Sequence, residues 1–368
     1  MILPNKKIKI ALVGYRLSRG GAEKVMAVLS QFFEKQGVEV HNIIVLDEVS
    51  YSYSGKLVNL GKMKNASNGL FNKWNRFVFL KKYLDENEFD FIIDFRFRIK
   101  PIQEVLIAKW LYKTKTIFTV HSFLIDHYMP NWSFLTRFIY GNCYKLVSIT
   151  DESKALIENK HHLKNVVRIY NPIDIDEIAV KGKALNELQY DYIIGVGQME
   201  TNIKQFDKLI EAYSESVLPA NNIHLVLLGD GERKRILQNV VKERKIEDKV
   251  HFLGYQNNPF KYLKKARFFV LSSLNEGLPN VILESLACET PVVAFDCSSG
   301  PSEMIQHKEN GLLVANQNIE KLSEAMNLFV EDENLYRYCK QNALQSVQSF
   351  SVSAIGKQWL DVMKISLD

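Results

Sequence analysis

"RFFVLSSLNEGLPNVILESLACETPVVAFD", residues 267–296, reads as strand, loop, helix, strand. The flanking runs "RFFVLSS" and "PVVAF" are short and apolar, and Pro279 between them suits the first turn of a helix. Strands that are apolar throughout and separated by helices belong to parallel sheets covered on both faces. Two acids frame the turn: Glu276 on the loop and Glu284 inside the helix, between Leu283 and Ser285. Two helix turns of separation let both lie on one side and address different parts of one elongated ligand. Carboxylates accept hydrogen bonds strongly and sit well against vicinal hydroxyls. A loop acid and an exposed helix acid are the plain alternative, which leaves the Gly277-Leu278-Pro279 turn unexplained.

The same alternation extends outward in both directions. Toward the carboxyl end "GLLV" (311–314) follows, and before it come "YDYIIGVG" (190–197), "HLVLLGDG" (224–231) and "KVHFLG" (249–254). The first half repeats the scheme with "KIKIALVG" (7–14), "VEVHNIIVL" (38–46), "FDFIID" (89–94), "KTIFTVH" (115–121), "KLVSIT" (145–150) and "VVRIY" (166–170). Helical periodicity fills several gaps, as in "GAEKVMAVLSQFFEKQG" and "DESKALIENKHH". Two Rossmann-like α/β domains are predicted, 1–172 and 173–351, with a hinge at 171–176 where Asn171-Pro172 ends the last strand. Such sheets bind ligands beyond the carboxyl ends of their strands, so a central cleft between the domains is the expected site. The amphipathic end of the chain, 352–368, is expected to pack back onto the first domain.

Composition agrees with this reading and excludes others. A chain of 368 residues exceeds what one core usually supports, and its 46% apolar content is ordinary for a soluble protein. Cys143, Cys288, Cys297 and Cys339 show no C-x-x-C pair and no zinc-ligand spacing, which predicts reduced thiols and no metal. The start, "MILPNKKIKIALVG", lacks the long apolar core of a signal peptide and reads as a strand. No stretch approaches the roughly 20 apolar residues of a membrane span. Net charge is +5, but residues 1–180 hold 26 Lys and Arg against 18 Asp and Glu, so the first half carries the basic surplus. No nucleic-acid motif accompanies it.

Several candidates fall directly after strands. Gly20-Gly21, in "GYRLSRGGAEKV", opens a helix and could admit a phosphate to its N-terminus. A simple strand-to-helix turn reads equally well, since the full G-x-G-x-x-G spacing is absent. Lys204, in "VGQMETNIKQFDKLIEA", could meet a diphosphate as a point charge or be an ordinary surface lysine. His121, in "FTVHSF", is either a satisfied structural histidine or a functional one. Asp174-Ile175-Asp176 forms a D-x-D, but its place at a helix start favours capping over cation binding.

These pieces in order, "GGAEKV", "TVHS", "IYNPID", "KQFDKLIEAY", "LLGDGERK", "EGLPNVILESLA" and "SSGPSEMI", resemble a family 4 retaining glycosyltransferase of GT-B fold, with Glu276 and Glu284 as its E-x7-E signature. The resemblance runs almost end to end. It implies a nucleotide-sugar donor, UDP-linked in most members, and no cofactor or metal. Glu284 would hold the ribose hydroxyls and Glu276 the donor sugar's hydroxyls, with the Gly277-Leu278 backbone near sugar and phosphate. Lys204 would neutralise the departing diphosphate, Gly20-Gly21 would approach it, His121 would bond the sugar near the reacting carbon, and Leu253-Gly254 would lie by the base. One departure stands out: Gln198 occupies the position where the family usually has a second cationic phosphate ligand. Losing such a charge-assisted contact costs on the order of 1.5–3 kcal/mol; Arg233 and Lys234 could compensate.

The implied reaction moves a hexose or N-acetylhexosamine to a saccharide acceptor with retention of configuration, the acceptor attacking from the face that the diphosphate leaves. No side chain reads as a covalent nucleophile. Val49–Leu84 contains no acid but seven basic residues, and "GLFNKWNRFVFLKKYL" interleaves some of these with Phe71, Trp74, Phe77 and Phe79. Residues 56–82 are therefore expected on an anionic membrane surface, or as an amphipathic helix packing its aromatics on the first sheet. The membrane reading favours a lipid-linked acceptor, a cytoplasmic protein peripheral on the inner membrane face, and a role in surface-polysaccharide assembly. A nucleotide-sugar-binding subunit without turnover, or an epimerase or hydrolase of similar fold, are the alternatives.

Overall fold

The computed structural model describes residues 7–65 and 69–366. The start of the chain, part of the basic segment at 66–68 and the last two residues of 352–368 lie outside that range. Among the described residues the strands form two wholly parallel sheets. The first holds β1 (Lys9–Gly14), β2 (Glu39–Ile44), β3 (Lys56–Asn59), β4 (Phe91–Asp94), β5 (Lys115–Val120), β6 (Lys145–Ser148) and β7 (Val166–Arg168), in the order β3-β2-β1-β4-β5-β6-β7. The second holds β8 (Tyr192–Val196), β9 (His224–Leu228), β10 (Val250–Gly254), β11 (Phe269–Leu271), β12 (Val292–Asp296) and β13 (Gly311–Ala315), in the order β10-β9-β8-β11-β12-β13.

The central strands are buried on both faces, which is why they read as unbroken apolar runs. In β1, Ile10 and Leu12 join a core with Phe32, Phe33 and Trp359, whereas Ala11 and Val13 join another with Leu80, Tyr112 and Phe118. In the second sheet Ile193, Leu225, Val270 and Val293 meet Leu209, Leu322 and Phe329. β3 has no counterpart among the expected strands. Only Val58 of its four residues is buried, so an edge strand this short gives no period-2 signal.

Residues up to Pro172, together with those from Val352 onward, form one compact unit, and Ile173–Ser351 form the other. Within the second unit the Ile173 N–H donates to Phe350 O at 2.9 Å, so its entry and exit strands of chain lie side by side. The C-terminal helix, Val352–Met363, belongs to the first unit. Ile355, Trp359, Leu360 and Met363 fall on one face and bury against Phe32 and Phe33 of the helix Gly21–Lys35. Gly356 permits the approach: a Cβ there would stand 2.4 Å from the Phe32 ring. Tyr144 adds a hydrogen bond to Val362 O at 3.0 Å.

Removing this clasp should weaken the first unit. Trp359→Ala is expected to destabilise it by about 3–5 kcal/mol and to bring forward one part of the thermal unfolding profile while the second unit's part stays in place. A single unshifted transition in calorimetry would show that the helix contributes little.

Candidate active site

In each sheet the chain reverses its direction of growth once, between β1 and β4 in the first unit and between β8 and β11 in the second. Such switch points leave a crevice at the carboxyl ends of the two strands, where helices depart to opposite faces. The loops after β8 and β11 carry Lys204 and Glu276. Their side chains meet: Lys204 Nζ lies 2.6 Å from Glu276 Oε1, across 72 positions of sequence.

The local sequence builds this meeting. The methylenes of Lys204 lie over Gly197, where a Cβ would come within 2.9–3.0 Å of them. The two loops are tied by Leu274 N–H to Ile203 O at 2.8 Å and Ser272 Oγ to Lys204 O at 2.8 Å. Ser273 Oγ donates to Glu276 Oε1 at 2.6 Å, and the Glu276 N–H donates to Ser298 O at 3.2 Å. With side-chain exposures of 23% and 12%, the pair is shielded but reachable. A charged ligand could therefore exchange with either member: an anion for Glu276 at the ammonium, hydroxyl groups for Lys204 at the carboxylate.

Glu276 lies in a loop, and the helix runs Asn280–Ala287 with Pro279 at its cap. This is the loop-then-helix arrangement expected from the sequence, with Glu284 half-buried in the helix's second turn. The Gly277-Leu278 stretch between them is held from behind, Leu278 being buried and Ser299 Oγ donating to Gly277 O at 2.8 Å. Gly300 completes that support at φ 114°, where a Cβ would lie 2.6 Å from Pro279 Cδ.

Gln198 is exposed on the β8 loop, next to Met199, whose N–H donates to Asp230 O at 2.9 Å. Arg233 is tied to the same loop through its backbone N–H to Met199 O at 3.0 Å. Lys234 lies 3.6 Å from Asp230 Oδ2, and a Cβ on Gly254 would stand 4.0 Å from its Nζ. Lys234 is thus a cation beside Leu253-Gly254. Asp174 caps the helix Ile175–Gly182, its Oδ1 accepting from the Glu177 N–H at 2.8 Å, which is the capping role expected of the D-x-D.

In the first unit Gly20, at φ 137°, precedes the helix Gly21–Lys35, and its N–H donates to the Tyr51 hydroxyl at 3.2 Å. A Cβ at Gly20 would fall 2.5 Å from Glu23 Oε2, a side-chain end that can swing aside, so it is the backbone conformation that calls for glycine. His121 follows β5 directly, with both ring nitrogens shut from solvent. Burial, and then the nearby Arg98 guanidinium, pull its pKa down to about 3, against the smaller upward pull of Asn171. The imidazole is neutral at physiological pH.

The loop after β4 holds what the sequence reading passed over. Arg96 Nη2 bridges Asp94 Oδ2 at 2.6 Å and Glu104 Oε2 at 3.1 Å, all three side chains buried. Burial opposes the charge on Arg96, and Asp94, Tyr112 and Glu104 more than offset it. Arg98, 1% exposed, donates to the carbonyls of Tyr128, Arg96 and Thr119 and lies over the rings of Phe118, Tyr128 and Tyr140. The signal was present in "IIDFRFRIK", where three charges interrupt an apolar run just past a strand.

Among the described residues no group of three or more His, Cys, Asp or Glu side chains is placed to hold a metal ion. Burial pushes the Cys143, Cys288 and Cys297 thiols up to about 12 and that of Cys339 to about 11, which leaves them un-ionised at neutral pH.

Residues 19–177 match the model described as Glycosyltransferase Family 4, and residues 177–346 match that of Glycosyl transferases group 1. An N-acetylgalactosamine-N,N'-diacetylbacillosaminyl-diphospho-undecaprenol 4-alpha-N-acetylgalactosaminyltransferase of Campylobacter jejuni is 30% identical over 366 residues, covering 96% of this chain and 98% of the relative. The chain belongs to the family 4 glycosyltransferases. A second Campylobacter jejuni relative, a GalNAc-alpha-(1->4)-GalNAc-alpha-(1->3)-diNAcBac-PP-undecaprenol alpha-1,4-N-acetyl-D-galactosaminyltransferase, is 27% identical and covers 97% of this glycosyltransferase and 98% of itself. The crystal structure of Anabaena Alr3699/HepE in complex with UDP superposes with a TM-score of 0.78 at 16% identity, covering 97% of this chain and 100% of that one. That likeness establishes the GT-B fold.

His41, His121, His161, His224 and His251 are all held below their ordinary pKa, in each case first by burial. Unfolded imidazoles take up protons near pH 6.5 while the folded ones resist, so the unfolded state binds more protons as pH falls. Stability of the glycosyltransferase should therefore decline from about pH 6.5 downward, and the His121 ring should show no titration between pH 8 and 5 by NMR. A His121 midpoint near 6.5 would contradict the buried, neutral ring.

Proposed function

We propose that this glycosyltransferase moves a hexose or N-acetylhexosamine from a UDP-sugar to a lipid-linked saccharide, with retention of configuration and without a metal ion, in cell-surface polysaccharide synthesis. The observation that carries the reading is the Lys204–Glu276 pair at the β8/β11 switch point. It sets a cation for a diphosphate directly against a carboxylate for sugar hydroxyls. Glu284 holds the ribose, the Gly277-Leu278 backbone approaches sugar and phosphate, and Leu253-Gly254 borders the base with Lys234 beside them. Lys234 stands in for the charge that Gln198 lacks.

In the reaction the acceptor hydroxyl attacks the anomeric carbon from the face that the diphosphate leaves. As the carbon–oxygen bond to the diphosphate breaks, its oxygen takes the hydroxyl proton, and Lys204 offsets the charge that develops there. UDP as carrier draws support from the Anabaena structure, which holds UDP on the same fold. The lipid-linked acceptor draws support from the two Campylobacter jejuni relatives, both named for undecaprenol-linked substrates. Among the described residues no helix is long and apolar enough to cross a membrane, so we place the enzyme peripherally on the inner membrane face through residues 56–82.

The test is nucleotide release from UDP-, GDP- and ADP-sugars, with and without undecaprenyl-diphosphate-linked saccharide. Release from a UDP-sugar that depends on acceptor, persists in chelator and yields a product of unchanged anomeric configuration is expected. Lys204→Ala should lower kcat by about 10²–10³, and Glu284→Ala should weaken UDP binding about 10- to 100-fold. Saturable UDP binding without release would instead identify a nucleotide-sugar-binding subunit, and release that ignores acceptor a hydrolase.

A further inference from the structure

The helix Leu70–Asn87 packs Phe77 and Tyr83 against the core but leaves Phe71, Trp74 and Phe79 exposed. Of its side chains only Leu80 and Leu84 are buried, whereas Leu70, Phe71 and Trp74 are 85%, 77% and 57% exposed. Facing it, the helix Pro101–Leu106 and the π-helical segment Ile107–Leu111 carry Ile102 at 82% and Leu106 at 50% exposed, with Ile99 just before them. Between these walls lies a cavity of about 1010 Å³, at the upper end of the range for small-molecule sites. It reaches past the rims to Val13, Leu60, Leu80 and Leu111, all buried core residues, so it is a depression into the first unit and not a flat patch. An apolar surface this extensive on a soluble domain marks an interaction site.

Charge narrows the occupant. Lys73, Arg76 and Lys100 line the cavity, and among the described residues its one acid is Glu104, already bridged to Arg96. Tyr15 and Arg96, directly after β1 and β4, also line it, so the cavity opens onto the switch point of the first sheet. The walls are mostly apolar, and of their buried polar side chains Arg96, Glu104 and Tyr112 are already engaged with one another and with Asp94, which leaves few groups in the depth for a sugar or nucleotide. A membrane surface would meet the exposed rims and leave the depth unused.

We propose that the cavity takes the phosphate-proximal part of an isoprenoid chain, with the phosphate groups at the basic rim formed by Lys73, Arg76 and Lys100. This inference rests on the lipid-linked acceptor reading and goes beyond it by placing the apolar tail inside the protein. The chain enters between Trp74 and Ile102 and contacts Phe77, which is stacked between Trp74 at 6.0 Å and Trp110 at 5.4 Å.

The test is calorimetric binding of geranylgeranyl diphosphate to the full chain, below its micelle concentration, against inorganic diphosphate and geranylgeraniol. Saturable binding of geranylgeranyl diphosphate at one per chain, at least tenfold tighter than either fragment, is expected. Ile102→Trp, which fills the entrance, should weaken it tenfold or more. Trp132→Ala, which removes an exposed aromatic that does not line the cavity, should leave it unchanged, and both variants should unfold at the temperature of the wild type. Absence of binding, equal affinity for inorganic diphosphate, or equal weakening by both variants would overturn the proposal. Should Ile102→Trp unfold early, Leu106→Phe replaces it under the same criteria. Cavity-dependent binding without sugar transfer to any isoprenoid-linked saccharide would sink the acceptor reading alone, and transfer that ignores the cavity variants would sink this inference alone.

Discussion

A parallel strand can be followed by its neighbour only after the chain crosses back over the sheet, and this constraint organises everything else in the molecule. Each crossing buries a helix on the sheet and leaves a strand-to-helix loop at the carboxyl edge. Those loops collect most of the polar groups because the central strands, covered on both faces, carry few beyond such buried, hydrogen-bonded residues as Asp94 and Thr119. Lys204 and Glu276 stand 72 residues apart in the chain yet 2.6 Å apart in space, because β8 and β11 are neighbours across the reversal of strand order. His121, Gly20 and the Arg96 cluster follow the same rule in the first sheet.

The two charged centres solve the cost of burial differently. Lys204 and Glu276 stay partly open, and each neutralises the other until a ligand with complementary groups competes. Arg96 is closed over and ion-paired with Asp94 and Glu104, the pairing that a buried charge needs to offset its desolvation. Arg98 relies on carbonyl dipoles and aromatic faces, and its charge helps keep His121 neutral. The first arrangement suits exchange with substrate. The second suits holding the β4 loop in one shape beside the cavity.

Most of the strands and the placement of the candidate residues were legible because burial on both faces writes itself as apolar runs, and the loops that carry the candidates begin where those runs end. β3 was not legible, since an edge strand with one buried residue has no pattern to show. Glu276 on the loop and Glu284 in the helix were legible from the Gly277-Leu278-Pro279 turn between them, but the support of Gly277 from Ser299 was not, since it joins residues 22 positions apart. The aromatic run at 71–79 read equally as core or surface. Periodicity reports which residues share a helix face and not whether another element covers that face, so the cavity became visible only once the helix Pro101–Leu106 stood opposite. The buried charges at 94–104 depend on long-range pairing that no local window contains.

The central claim is that the loops after β8 and β11 are the donor site. Hydrogen exchange of the intact chain with and without a UDP-sugar tests it most directly. The account predicts that slowed exchange concentrates in 197–205, 253–255 and 274–286, and that Lys204→Ala removes most of it. Saturable UDP-sugar binding with no change in those segments would contradict it.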